Sequence, residues 1–207
     1  MGATLTRRSS FRSSSGTREL YEVHADAAAP VLDGFMKLLR NAATWVPLYA
    51  FMIYWIIRYG KPHAWQFILV TIVCFAITDY VSASILKPWF ARIRPCYDPE
   101  LQPIMRGLVG CGGQYSLPSS HASNHFGLAA FWFWSINRMR GQKWHWLWLW
   151  AFAVCYAQVY VGKHYPLDVI TGGIFGYTVG SLCAYFFDRW QFPVQRRQTY
   201  KPVAGFN

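Results

Sequence analysis

The stretch AWQFILVTIVCFAITDYVSASIL, from Ala64 to Leu86, decides the fold class. It carries one charged residue, Asp79, and it is long enough for the hydrocarbon core of a bilayer, which about 20 mostly apolar residues span. Four further runs lack Lys, Arg, Asp and Glu: Asn41 to Ile57, Ala122 to Asn137, Trp144 to Gly162, and Val169 to Phe187. The pattern predicts an all-α protein, a polytopic helical membrane bundle of about five transmembrane helices.

The composition favours the same class. Hydrophobic residues make up 54% of the chain and charged residues 14%, against about 25% charged in typical soluble domains. A soluble protein with five such core helices would have too little polar surface to cover them. The tryptophans from Trp144 to Trp150 alternate with the period of a strand. Since only one segment does so, and Trp-rich helix ends are typical of membrane interfaces, we expect a helix start there.

The ends of the chain differ from its middle. Residues 1–24 are Ser-rich and basic and predict a disordered tail, residues 25–190 form the membrane domain, and residues 191–207 form a cytoplasmic basic tail. Within the domain, Pro30 to Arg40 has apolar residues at helical spacing. This predicts an N-terminal amphipathic helix lying in the membrane interface, with a helix packed on the bundle as the open alternative.

Two loops carry the polar residues of interest, and span parity places them on one membrane face. The loop from Lys87 to His121 follows the second apolar run, and His164 follows the fourth. The opposite face would hold nine basic residues: Arg58, Lys61, Arg138, Arg140, Lys143, Arg189, Arg196, Arg197 and Lys201. The positive-inside rule makes that face cytoplasmic. We therefore expect an extracytoplasmic site in a bacterial inner or plasma membrane, although the basic N-terminal tail does not follow the rule.

The net charge of +11 also raises the question of nucleic acid. The basic residues lie between apolar runs and form no single stripe, so no nucleic-acid partner is predicted. Cys96 and Cys111 share the loop on the site face. A disulfide between them is expected in an oxidising compartment, and two free thiols are the open alternative.

The first loop carries groups that bind phosphate. KPWFARIRP, Lys87 to Pro95, supplies Lys87 as a point charge and Arg94 as a planar fork for phosphate oxygens. PSSH, Pro118 to His121, begins the third apolar run. There Ser119 or Ser120 can cap a helix whose first N–H groups form an anion site, and His121 suits a general acid at near-neutral pH.

The second loop supplies a nucleophile. In GKHYPLD, Gly162 to Asp168, His164 and Asp168 lie four residues apart around Pro166, which fits the first helical turn. A carboxylate that holds one imidazole nitrogen leaves the other free to attack. Such a set can form and hydrolyse a phosphohistidine without a metal or another cofactor. We expect Asp79 to orient Lys87 or an arginine, with a purely structural hydrogen bond as the open alternative.

Together these motifs resemble the type-2 phosphatidic acid phosphatase superfamily, whose pattern is K-x6-RP, then PSGH, then SR-x5-H-x3-D. The first motif is complete, and PSSH has Ser120 in place of the family's glycine. The resemblance implies a helical membrane phosphatase with the following roles: His164 as nucleophile, Asp168 as its partner, His121 as acid, and Lys87, Arg94, Ser119 and the start of the third run as the phosphate site.

The third motif departs from the family at its first two positions. Ala157 and Gln158 stand where the family has Ser and Arg. Gln158 keeps a place in the expected phosphate-binding set, because its amide donates hydrogen bonds, but it brings no charge. The candidates for a compensating cation are Lys163, Arg92 and Arg106.

The predicted function is an integral membrane phosphatase that hydrolyses a lipid phosphate or diphosphate. Polyprenyl diphosphate, phosphatidic acid, phosphatidylglycerophosphate and a phosphorylated saccharolipid all fit. The expected partners are the lipid phosphate and the membrane, and the sequence leaves the oligomeric state open. Two alternatives remain: a non-catalytic lipid-phosphate binder or carrier, and a lipid phosphotransferase.

Overall fold

A computed structural model describes residues 15–26 and 30–192, and seven helices account for most of them. They are α1 (Ser15–Asp26), α2 (Pro30–Arg40), α3 (Val46–Tyr59), α4 (Ala64–Phe90), α5 (Ser120–Arg140), α6 (Trp146–Tyr160) and α7 (Pro166–Gln191). Short 3-10 turns lie at Ala42–Trp45, Pro95–Tyr97 and Gln102–Ile104. Within the described ranges the only β-type pairing is an isolated bridge between Ile93 and Tyr115. The predicted all-α class is confirmed.

Each of the five apolar runs coincides with one of the helices α3 to α7. Among the described residues, α4 and α7 are long and apolar enough to cross a membrane. With 14 and 15 residues, α3 and α6 extend about 21 and 22 Å at 1.5 Å per residue, less than the roughly 30 Å of a hydrocarbon core. The count of five spans therefore stays a prediction.

The outer surface of the bundle is apolar. Leu149 is 72% exposed, Phe186 65% and Ile174 63%, and similar side chains cover the outward faces of the other long helices. Soluble proteins rarely expose apolar surface on this scale. The distribution is the one expected of an integral membrane protein whose helices face lipid.

The closest contact in the fold joins α5 and α7 along a line of glycines. Gly172, Gly176 and Gly180 recur every fourth residue of α7, so they lie on one face. A Cβ atom at these positions would overlap with the backbone carbonyl oxygens of Ser119, Ser123 and Gly127 of α5, respectively. The contact brings the first turns of the two helices together, and the Ser119 N–H donates to the Asp168 carbonyl at 2.9 Å.

Aromatic side chains hold the remaining helices around α5. Trp132 of α5 stacks on Trp150 of α6 with ring centroids 5.8 Å apart, and its Nε1 donates to the Thr71 hydroxyl of α4 at 3.1 Å. Phe131 packs against Phe67 of α4 and Phe187 of α7. The helix α5 is therefore the centre of the bundle.

The segment between α4 and α5 forms a closed loop over one end of the bundle. Cys96 and Cys111 form a disulfide, with Cα atoms 6.0 Å apart. Two backbone hydrogen bonds close the base of the loop, from the N–H of Arg94 to Gln114 at 3.1 Å and from the N–H of Ser116 to Arg92 at 2.8 Å. These bonds fix the backbone that carries both arginines.

The N-terminal boundary predicted at residue 24 is wrong for residues 15–24, which belong to α1. Tyr21 on this helix is buried and packs with Leu101 and Tyr165. Its hydroxyl donates to the His164 carbonyl at 3.0 Å. These long-range contacts make α1 part of the fold. The rest of the predicted tails, residues 1–14 and 193–207, lies outside the described residues.

Helix α2 is packed on the bundle, as one of the two alternatives for its amphipathic sequence requires. Met36 packs against Ala157, Tyr160 and Val161 at the end of α6. The opposite face, with Val31, Phe35 and Leu38, stays exposed. An exposed apolar face of this kind fits a membrane interface, and the interfacial position of α2 stays a prediction.

Replacing Gly176 by Ala should destabilise the protein. The new methyl group meets the Ser123 backbone, which cannot rotate away, and overpacking of this kind costs about 1–3 kcal/mol. We expect a lower melting temperature of the detergent-solubilised protein. Gly34→Ala is the matched control, since a Cβ there meets open space and alanine favours the helix by about 0.5–1 kcal/mol. Equal melting temperatures for Gly176→Ala and the wild type would contradict the close packing.

Candidate active site

The polar residues singled out in the sequence meet at one end of the bundle. This is the end where α5 and α7 begin, α6 finishes and the closed loop lies. The residues are Lys87, Arg94, Ser119, Ser120, His121, Gln158, His164 and Asp168. The charges of Asp168, Arg94 and Lys87 act on His164, and those of His164 and Lys87 act on His121. The residues of the two loops therefore lie at the same end of the bundle.

Asp168 is fully buried at the start of α7, accepts hydrogen bonds from two groups and lies near a third. One oxygen accepts the Tyr165 N–H at 2.8 Å, which caps the helix. The other oxygen accepts the Arg92 guanidinium at 2.9 Å. The Nδ1 atom of His164 lies 3.6 Å from the carboxylate, longer than a hydrogen bond.

Two of the three candidates for a compensating cation are engaged elsewhere. Arg92 pairs with Asp168, and its guanidinium lies 3.9 Å from the centroid of the Tyr165 ring. Arg106 pairs with Asp33 of α2 at 2.9 Å and with the Tyr160 hydroxyl at 2.7 Å. Both arginines stabilise the walls of the site, and neither offers an uncompensated charge.

The third candidate, Lys163, faces the other cations. Its ammonium lies near Gly112, and the Arg94 guanidinium approaches the same glycine. Burial, followed by the charges of Arg40, Arg94 and Lys87, lowers the pKa of Lys163 to about 8. Since positive neighbours dominate its surroundings, the pocket is strongly electropositive.

Backbone carbonyls hold Arg94 in place. Its Nε donates to the Tyr115 carbonyl at 3.1 Å, and one terminal nitrogen donates to the Cys111 carbonyl at 2.9 Å. The loop geometry, and with it the disulfide between Cys96 and Cys111, therefore sets the direction of this guanidinium. The remaining N–H groups of the planar fork are available for an anion.

His164 is buried against its positive neighbours. Burial lowers the pKa of His164 to about 4, Asp168 opposes this shift, and Arg94 and Lys87 add to it. The imidazole is therefore uncharged at neutral pH. An uncharged ring keeps the lone pair that a nucleophile needs.

The start of α5 presents donors to the same pocket. Ser119 caps the helix, and its hydroxyl accepts the Ala122 N–H at 3.4 Å. The first amides of a helix have no acceptor within the helix and attract anions. His121 lies in this first turn, so its ring is beside the place where an anion would bind.

Several buried polar atoms of the site have no hydrogen-bond partner within the described residues. They are the Ser120 hydroxyl, both amide atoms of Gln158, and Nδ1 of His164. Each such atom costs about 1–3 kcal/mol when it is left unpaired. A bound ligand with several hydrogen-bonding oxygens would satisfy a cluster of this kind.

Asp79 and His125 lie close to the site and make structural contacts. Asp79 accepts the side-chain amide of Asn124 at 2.9 Å, and its charge also acts on Lys87. A structural hydrogen bond is thus observed for Asp79, and its role in orienting Lys87 stays a prediction. His125 contacts the His121 carbonyl at 2.8 Å through Nδ1 and packs on Trp150, which fixes the backbone of the first turn of α5.

A family comparison agrees with this geometry. The model of the PAP2 superfamily matches residues 63–192, well over half of the chain. The chain belongs to the PAP2 superfamily. The match begins just before α4 and ends just after α7, so it contains every residue of the three sequence motifs.

Two curated PAP2 relatives match along most of their length. The Lipid A 4'-phosphatase of Porphyromonas gingivalis is 31% identical over 170 residues, which are 78% of this chain and 70% of the relative. The Lipid A 4'-phosphatase of Bacteroides thetaiotaomicron is 34% identical over 188 residues, which are 86% of this chain and 78% of the relative. With such relatives, this PAP2 protein is a membrane lipid phosphatase.

Solved PAP2 structures share the fold. A transmembrane phosphatidylglycerolphosphate phosphatase from Bacillus subtilis superposes with a TM-score of 0.59 at 18% identity, covering 88% of this chain and 87% of that one. LpxE of Aquifex aeolicus superposes with a TM-score of 0.55 at 23% identity, covering 81% and 93%. At these identities the likeness concerns the fold alone.

Sequence reasoning missed one residue of the pocket, Arg40 at the end of α2. Its charge acts on Arg94, His121 and Lys163. It lies outside the three motifs and outside the PAP2 match. The one available signal is a basic residue at the end of an amphipathic helix, which by itself indicates only a favourable position near the helix C-terminus.

The stability of the protein should depend on pH through His164. Its pKa is about 4 in the folded state and about 6.5 in an unfolded chain, so the folded state binds fewer protons between these values. Its contribution to stability is complete above about pH 6.5 and is lost as the pH falls toward 4. The melting temperature should fall more steeply from pH 7.5 to 4.5 in the wild type than in His164→Gln. Parallel curves would contradict a buried, uncharged His164.

Proposed function

We propose that this PAP2 protein hydrolyses a phosphate monoester of a saccharolipid of the lipid A type, through a phosphohistidine on His164. The observation that carries the proposal is the placement of two histidines on one electropositive pocket, with a buried carboxylate beside His164. The two relatives named Lipid A 4'-phosphatase support the choice of lipid.

In the first step, Nε2 of His164 attacks the phosphorus atom. A P–N bond forms and the P–O bond to the lipid breaks. His121, which takes up a proton when the phosphate anion binds beside it, donates that proton to the leaving oxygen. Asp168 stabilises the positive charge that develops on the His164 ring. The phosphoryl oxygens are bound by Lys87, Arg94 and the first amides of α5. These electrostatic interactions are stronger in a site that excludes water.

In the second step, water attacks the phosphohistidine. His121, now uncharged, takes a proton from the water, the P–N bond breaks, and inorganic phosphate leaves. The proton gained by His121 replaces the one given to the lipid, so the enzyme returns to its starting state. The attacking water supplies the proton that restores His121, the protein's own cations bind the phosphoryl group, and we propose no metal or cofactor.

An apolar groove supports entry of the lipid from the side. It has a volume of about 370 Å³ and lies between α3, α4 and α5. It starts at Ala42, two residues beyond the end of α2, and extends along α3 as far as Ile56. A chain of the lipid in this groove would leave its phosphorylated sugar at the polar end of the bundle.

The closed loop supports an extracytoplasmic site. Disulfides persist in oxidising compartments and are rare in the cytosol, and the disulfide between Cys96 and Cys111 lies on the site face. The basic residues of the opposite face fit the cytoplasmic side. We therefore place the site on the outer face of a bacterial inner membrane.

The substrate proposal is tested by phosphate release across lipid classes. Purified protein should release phosphate from lipid A faster than from phosphatidic acid, phosphatidylglycerophosphate or polyprenyl diphosphate. His164→Ala should lose at least about 1,000-fold in rate, because the covalent step is removed. The comparison uses initial rates in detergent at one lipid mole fraction.

The controls separate the alternatives. EDTA should leave the rate unchanged, and a loss restored by a divalent cation would refute the proposed mechanism. If another lipid in the panel reacts faster, that lipid and not lipid A is the preferred substrate. Binding of lipid A without phosphate release at any pH would indicate a binder, and transfer of phosphate to an added lipid alcohol would indicate a phosphotransferase.

The disulfide makes a separate prediction about the compartment. Intact protein from native membranes should gain two additional alkyl groups when it is reduced before alkylation, compared with alkylation alone under denaturing conditions. The three cysteines outside the pair, Cys74, Cys155 and Cys183, react in both samples and serve as the internal reference. Equal masses in the two samples would show free thiols and remove this support for an outer site.

A further inference from the structure

Arg40 lies at the end of α2, a helix that the family motifs do not include, and its charge acts on Arg94, His121 and Lys163. Helix α2 is anchored on the end of α6 by Asp33, which accepts the Tyr160 hydroxyl at 2.7 Å, and by Met36, which packs on Ala157. Arg40 follows Met36 by four residues, so it lies on the same face of α2. The face that carries Arg40 is therefore turned toward the turn of α6 that carries Gln158.

The Arg40 side chain has no anionic partner within the described residues. Its Nε is buried and makes no hydrogen bond. Burial lowers the pKa of the Arg40 guanidinium, as expected when no carboxylate compensates it. Arg92 and Arg106 differ in this respect, because each is paired with an aspartate.

The charge of Arg40 acts on the other cations of the pocket. It lowers the pKa of Lys163 more than Arg94 or Lys87 does, after burial itself. It also acts on Arg94, whose pKa is lowered chiefly by burial. Four cations at close range oppose one another, and an anion in their midst would turn this repulsion into attraction. A phosphate monoester, with a charge of about −1.5 to −2, has the right sign and size.

The side chain at position 158 is consistent with a cation supplied from elsewhere. Gln158 is fully buried, and both of its amide atoms lack a partner. An arginine here would place a fifth charge in the most buried part of the pocket. The neutral amide instead adds hydrogen-bonding groups without adding repulsion.

We propose that Arg40 binds the substrate phosphate and supplies the positive charge that the family motif places at position 158. The cation is thus supplied by α2 instead of α6, and Gln158 assists it as a neutral hydrogen-bonding partner. This inference rests on the proposed function, since it deepens the description of the same phosphate site.

The test measures inorganic phosphate binding, which does not require turnover. The rise in melting temperature with phosphate concentration gives an apparent affinity. Arg40→Met keeps the length of the side chain and removes the charge, and it should weaken phosphate binding about 10- to 100-fold. Lys37→Ala is the matched control, since it removes an exposed charge from the same helix and should change the affinity less than about twofold.

Rescue distinguishes a role at the phosphate from a structural one. Adding Gln158→Arg to Arg40→Met should restore at least about tenfold of the lost affinity, because it returns a guanidinium to the family position. The gain in affinity from Gln158→Arg should be larger in Arg40→Met than in the wild type, where Arg40 already supplies the charge. If Arg40→Met does not fold, Arg40→Lys replaces it, with a smaller loss and the same rescue expected.

Two results would overturn the inference. One is phosphate affinity in Arg40→Met equal to that of the wild type. The other is a loss that Gln158→Arg does not restore although the double variant melts cooperatively. Failure of the proposed function has a different signature: wild-type protein that binds inorganic phosphate but releases none from any lipid phosphate.

Discussion

The contact between α5 and α7 is the constraint on which the site depends. Glycines on α7 let the backbones touch, so the two helices begin at the same level and their first turns lie side by side. Ser119 and Asp168 join these turns through one backbone hydrogen bond. Since His121, the proposed acid, lies just inside one turn and His164, the proposed nucleophile, lies just before the other, the packing of the two helices fixes the distance between these two histidines.

Charge is distributed unevenly around this junction. Among the described side chains the one fully buried carboxylate is that of Asp168. It is already held by Arg92 and by a backbone amide, so it cannot neutralise the other cations. The pocket stays positive as a result, and His164 stays uncharged. These two conditions belong together in a phosphoryl transfer that starts with an imidazole, because a protonated nucleophile could not attack and a neutral pocket would not bind its substrate.

The sequence predicted those features that depend on local spacing. The apolar runs gave the helices, and the motif residues gave most of the pocket. The features it did not predict depend on distant partners. Asp168 was expected to bind His164, four residues away, whereas its closest side-chain partner is Arg92 in another loop. The burial of Tyr21 depends on Leu101 and Tyr165, and the position of Arg40 depends on how α2 packs against α6. The spacing of apolar residues within the N-terminal segment does not predict these contacts.

The hydrogen bond from Tyr21 to the His164 carbonyl has a consequence for defining the enzyme. The family model matches the chain from residue 63, and a boundary drawn there would look natural. It would remove both α1, which holds the peptide unit of His164, and α2, which packs on the end of α6. The span of the family model and the folded unit therefore have different boundaries, and in this protein the folded unit includes α1.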